Sequence, residues 1–202
     1  MINPPADARE ASPGRRTLGW AAAAAATLLV LGGCTSEPLA TIEAAPTLPA
    51  GWITTTSDTL DLRLTLPDWL GVFESSGAVF ANEVRPAGEQ GLQLLAEGPR
   101  TAMLQPKAGE DRRLWLERKV GAPGQGQPAF RSIRLPSGPA LVLGRVDRAG
   151  TPTAWRIMAY AIETDFGVAF LLIDGPHDMW AGREDDVLLI PHLVEVAPGA
   201  GP

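Results

Sequence analysis

The sequence predicts an α/β (α+β) fold: a central antiparallel sheet covered by helices on both faces. Three observations carry the prediction. Four extended segments follow one another between residues 129 and 174 with only short turns between them. Such connections favour antiparallel neighbours. The last of the four contains "VAFLLI" (168–173), apolar at every position. A strand of that kind is buried on both sides, so each face of the sheet needs a cover. Two segments, one mid-chain and one at the end, carry helix signals and are the available cover.

The elements follow in chain order. Leu60, Leu62, Leu64 and Leu66 alternate with Asp61, Arg63 and Thr65. Period-two alternation predicts a strand with one wet face, ended by Pro67-Asp68. "GAVFANEV" (77–84) and "GLQLLAEG" (91–98) read as further strands, with turn chemistry in "PAGEQ" between them. At 110–120, "EDRRLWLERKV", the period changes. Acids Glu110 and Asp111 at the start and Arg118 and Lys119 at the end suit a helix dipole, and Gly121 stops the segment. Leu114, Trp115 and Leu116 are adjacent, so the apolar stripe is not clean. "APGQGQP" reads as a loop. The four extended segments are 129–135, 140–146, 154–163 and 167–174. The closing "HDMWAGREDDVLLIPHLVEV" predicts a helix whose first turn is served by Asp178 or by Glu184, Asp185 and Asp186. Val187, Ile190 and Val194 have helical spacing, and Pro191 kinks or ends it.

This order, with "LTLPDW" (64–69), "LPSGPALVLGRV" (135–146), the long hairpin 154–174 and "DDVLLIPHL" (185–193), resembles the PsbP-like fold. That fold occurs in photosynthetic extrinsic proteins and in many small bacterial lipoproteins. The resemblance covers about residues 52–196. The chain departs from the family's pattern at Asp68, where a glycine-like position is usual, and at Pro191. What the resemblance implies is structural: it assigns no catalytic or metal residues, and a shared fold does not set function.

The N-terminal region gives an address. Residues 1–16 are polar and end in Arg15-Arg16; residues 18–33, "LGWAAAAAATLLVLGG", carry no charge. A spanning helix needs about 20 apolar residues, so this run suits the core of an export signal instead. Arg15-Arg16 raises twin-arginine export, but Gly14 stands where Ser or Thr precedes the pair and Leu18 is followed by Gly19; the favoured reading is the ordinary positive start of a signal, with twin-arginine export the alternative. The run ends Leu31-Gly32-Gly33-Cys34, with Cys34 the only cysteine. This resembles the lipobox of bacterial lipoproteins. The small glycines would let a peptidase reach the bond before Cys34, whose sulfur carries a diacylglycerol. "TSEPLATIEAAPTLPAG" then reads as a linker. The predicted organisation is a signal peptide at 1–33, a flexible linker at 34–50, one α/β domain at 51–197 and a tail at 198–202. The predicted location is the extracytoplasmic side of the cell membrane, with membrane lipid as a partner through acylated Cys34.

Charge and composition narrow the other partners. The formal net charge is −6, and removing residues 1–33 takes away three arginines and two acids, so the remainder is more acidic still. Phosphate neutralisation needs a concentrated basic face, so nucleic acid is not expected. Only two histidines exist, His177 and His192, and no second cysteine helps them. No metal site or cofactor is expected. Ser137, Asp174 and His177 supply the residue types of a catalytic triad, but "LPSGP" is a turn and not a nucleophile elbow. Glu184-Asp185-Asp186 lacks the alternating ligands and glycine of a calcium loop and reads as the acidic start of a helix. Trp69 and Trp180 fall in predicted turns. They either mark an interaction surface or plug the ends of the sheet layers. The expected function is that of a non-catalytic interaction or accessory module with an envelope protein as its partner. The alternative is a carrier that holds a small apolar or glycan ligand between sheet and helix. A pocket with a few convergent polar groups favours the carrier; a flat patch around Trp69 or Trp180 favours the interaction module.

Overall fold

The computed structural model describes residues 48–101, 105–121 and 126–196. The signal, Cys34, most of the linker and the tail lie outside the described residues. Among the described residues ten strands form two antiparallel sheets. The smaller is β1 (Trp52–Ser57), β2 (Leu62–Pro67) and β10 (Val194–Val196), with β2 in the middle. The larger has the order β3-β4-β5-β9-β8-β7-β6. Its strands are β3 (Leu70–Ser75), β4 (Ala78–Glu83), β5 (Gln93–Glu97), β6 (Ala129–Leu135), β7 (Gly138–Asp147), β8 (Trp155–Thr164) and β9 (Gly167–Pro176).

Local chemistry explains most of these joins. Ser76 and Gly77 both have positive φ (54° and 77°), the backbone twist that suits a two-residue hairpin between β3 and β4. β6 to β9 form a continuous meander, and the four extended segments of the sequence are these four strands. The chain leaves β5 through helix α1 (Arg112–Val120) and enters the sheet again at its far edge, so that β9 comes back to pair with β5. Asp111 caps α1 by accepting from the Arg113 N–H at 2.7 Å.

The larger sheet has a core on each face, as the unbroken apolar run in β9 requires. Val168 and Phe170 face one side with Leu143, Ala159 and Ala161, under Trp115 and Leu116 of α1. Trp115 meets Phe170 edge to face, with ring centroids 6.0 Å apart. Leu114 points away and is 62% exposed, which resolves the unclean stripe in the helix sequence. Ala169, Leu171 and Ile173 face the other side with Val142, Met158, Tyr160 and Ile162.

Helices on both faces are not what the second side has. Its cover is mainly the small sheet, through Leu62, Leu64 and Leu66, joined by Trp180, Val187, Ile190 and Val194. The C-terminal segment is not one helix. It breaks into α2 (His177–Trp180), α3 (Glu184–Leu189) and a 3-10 turn (Ile190–Leu193), then extends as β10. Pro191 has no N–H to continue the α-helical ladder, and the β-branched pair Val194 and Val196 goes on to pair with β2. Strands β1, β3 and β10 have no counterpart among the strands expected from sequence.

Candidate functional site

A groove of about 730 Å³ opens on the second face, at the corner formed by β6, β7 and β8. Its volume is typical of small-molecule sites, which run to about 300–1,000 Å³. Strand register sets the floor. Val142 lies between Arg131 and Tyr160, Gly144 between Ala129 and Met158, and Val146 beside Arg156. These residues share one parity along their strands, so they face the same way. Gly144 sits in the middle of the floor, and a Cβ there would meet no heavy atom within 4 Å. The missing side chain is what makes the trough deep. The wall comes from the C-terminal turns, through His177, Glu184 and Leu188.

Three arginines border the groove, and they differ in how far they are engaged. Arg145 is buried and ion-paired, Nε to Asp147 Oδ1 at 3.0 Å; the same oxygen accepts from the Gly126 N–H at 3.1 Å. Arg156 donates to Glu184 Oε1 at 2.8 Å and lies 4.6 Å over the Trp180 ring. Arg131 is exposed and has no ion-pair partner among the described residues. Tyr160, in the same row as Arg131, has its hydroxyl pKa pushed up to about 12 by burial, with Arg131 and Arg156 pulling the other way.

The tryptophans behave differently from an interaction surface. Trp180 is 0% exposed and belongs to the core, so it offers no surface; its place in the candidate patch is corrected by its burial. Four residues of α2 turn the ring inward beneath Arg156. Trp69 is half-buried, its Nε1 donates to Asp186 Oδ2 at 3.1 Å, and Arg183 lies 4.6 Å over its ring. It ties the β2–β3 turn to α3. Cys34 lies outside the described residues.

The triad residue types are not assembled. The Ser137 hydroxyl donates to the Val194 carbonyl, and Asp174 accepts from Trp155 Nε1 at 2.9 Å. Burial pushes the Asp174 carboxyl up from its ordinary value, with the Trp155 bond opposing. His177 is on the groove wall, and His192 lies in the 3-10 turn. Among the described residues no group of three or more His, Cys, Asp or Glu could hold a metal ion.

Sequence reasoning missed the groove residues, although a signal existed. Arg156 shares its parity with Met158, Tyr160 and Ile162, three buried residues of one strand. A charge in register with a core stripe must find either a partner or an opening.

No family model matches the chain, and no curated protein sequence does. Solved structures do. Cyanobacterial PsbP (CyanoP) from Synechocystis has a TM-score of 0.50 at 8% identity, over 79% of this chain and 99% of that one. LpqN of Mycobacterium tuberculosis, involved in cell envelope biogenesis, has a TM-score of 0.47 at 17% identity, over 68% and 83%. The Ran-binding protein Mog1p of Saccharomyces cerevisiae has a TM-score of 0.47 at 6% identity, over 72% and 95%. The likeness to CyanoP shows the fold: it is PsbP-like, as the order of the sequence elements implied.

Proposed function

We propose that the chain is a lipid-anchored envelope lipoprotein, held on the extracytoplasmic side by acylated Cys34, whose folded part acts as a non-catalytic interaction or accessory module. The observation that carries this reading is Leu31-Gly32-Gly33-Cys34 at the end of an uncharged run and before a proline-containing linker. One acyl chain gives marginal membrane binding and two give stable anchoring, which a diacylglycerol thioether supplies. The separate engagements of Ser137 and Asp174 support a non-catalytic role. Mass spectrometry of the mature N-terminus from the native host is the test. A diacylglycerol-modified Cys34 is expected, and Cys34→Ala should leave an uncleaved precursor. An unmodified Cys34, or cleavage at another bond, overturns the anchor and the location together.

A second reading has its own observation. The groove lies between sheet and helical turns, the place a carrier would hold a small ligand, while Trp180 is buried and Trp69 is tied down. These two placements support the carrier over a flat tryptophan patch. Native purification, with mass spectrometry of whatever small molecule stays bound, tests it.

A further inference from the structure

We propose that the groove binds a single-chain anionic amphiphile, its tail along Ala129, Gly144, Val146, Met158 and Leu188 and its carboxylate or phosphate on Arg131. The proposal rests on the carrier reading and names its ligand class.

The chain carries −6 overall, yet the groove is bordered by three arginines and one glutamate. Glu184 already answers Arg156, and Asp147 answers Arg145. Arg131 is left over, at the edge strand of the sheet, facing the trough. A guanidinium in that position is matched by a planar or tetrahedral oxyanion, which it meets with two parallel N–H donors.

The floor asks for something else. From the Val142 row, where Arg131 stands, to the Val146 row, where Arg156 stands, the strands advance four residues, about 13 Å. Between these rows lie Ala129, Gly144 and Met158. An inorganic anion would leave that apolar stretch in water. A chain laid along it would cover the stretch, each buried methylene contributing about 0.8 kcal/mol. Among the described residues the groove therefore has one cation without an ion-pair partner, at one end of an apolar trough, which is the outline of an amphiphile with an anionic head.

The polypeptide from residue 35 onward keeps every described element and lacks the anchor, so it suits calorimetry. Four probes separate the parts of the proposal: laurate, lauroyl lysophosphatidate, monolaurin and inorganic phosphate, the lipids kept below their micelle concentrations. Laurate and lauroyl lysophosphatidate should both bind, and monolaurin about ten-fold more weakly or worse, the worth of a hydrogen bond to a charged group. Phosphate alone should give no saturable heat. Arg131→Ala should bring laurate down to the monolaurin level. Gly144→Leu, in extended backbone with open space at its Cβ, should abolish lipid binding while leaving the unfolding midpoint unchanged. Equal affinity for laurate and monolaurin would overturn the anionic head. Phosphate binding as tightly as laurate would overturn the tail. Laurate binding untouched by Gly144→Leu would place the ligand elsewhere. Binding of none of the four overturns the proposal, and the carrier reading is then decided separately by the copurified molecule.

Discussion

The two faces of the seven-stranded sheet are covered in different ways. On one, α1 lays Trp115 and Leu116 against β7, β8 and β9, and three of its cations are ion-paired. Lys119 is ion-paired with Glu97 and lies 4.6 Å over the Phe170 ring; Arg118 pairs with Glu110, and Arg112 with Glu163 at 3.3 Å. On the other, a small sheet and three short helical turns share the work, and at the β6–β7–β8 corner they leave the groove. One regular helix covers its face more completely: the cleft beside α1 is about 220 Å³, against about 730 Å³ for the groove. A cover assembled from pieces has seams, and here the seam is lined by Gly144 and by Arg131, which has no ion-pair partner among the described residues.

The largest effects should come from the tryptophan at the centre of each cover. Trp180→Ala and Trp115→Ala each remove a fully buried ring and should each lower stability by about 3–5 kcal/mol, read by urea unfolding. They should differ in reach. Trp180 supports the Arg156 guanidinium on the groove's border, so its loss should also weaken binding there. Loss of Trp115 should leave binding intact in the folded fraction. Equal effects on binding would break the distinction between the two faces.

A smaller effect is expected from the buried ion pair under α1. The Lys119 side chain is 5% exposed and that of Glu97 14%. Burial pushes the Lys119 amine below its ordinary value, with Glu97 opposing. Glu97→Ala would leave a buried cation without its counter-ion and should cost about 2–4 kcal/mol, whereas Lys119→Met together with Glu97→Leu should be close to neutral. A double variant as unstable as the single one would show that the pair, and not the orphaned charge, carries the energy. Smaller again is the cap: Asp111→Ala should cost about 1 kcal/mol in thermal unfolding.

The sequence made the meander from β6 to β9 legible because each strand there is long, apolar in pattern and bounded by Pro or Gly turns. The apolar run in β9 also revealed two covered faces. What covers the second face was hidden. Val187, Ile190 and Val194 have helical spacing, yet Val194 reaches the core as a strand residue paired with Leu64. Nothing local distinguishes those outcomes; the partner strand decides, and it is about 130 residues away in sequence. Strand β3 was missed for a related reason. It is an edge strand with Phe73 49% exposed, stacked on Phe80 at 5.4 Å, so no buried stripe announces it. The groove was the least legible, since Arg131, Gly144 and Arg156 come from three strands and meet only through register.

The two faces should also differ in their response to pH, with the smallest effects of all. His192 belongs to the cover of the open face. Burial alone pushes its imidazole below the ordinary value of 6.5, and its Nδ1 has no hydrogen-bond partner among the described residues. The unfolded chain then binds the proton more readily, so stability is full above about 6.5 and declines as pH falls from there towards the lower folded value. Asp174 points to the α1 face, in register with Val168 and Phe170. Burial raises its carboxyl above 3.8, so the folded chain binds the proton more readily. Its ionised form costs stability at neutral pH, and that cost is relieved as pH falls through the raised value. His192→Gln should therefore flatten the decline that begins near pH 6.5. Asp174→Asn, which keeps an acceptor for Trp155 Nε1, should stabilise the protein at pH 7 and lose that advantage in acid. Urea midpoints across the range from neutral to acid read both. A decline unchanged by His192→Gln would remove the imidazole from the account, and an Asp174→Asn gain that persists into acid would have to come from packing and not from charge.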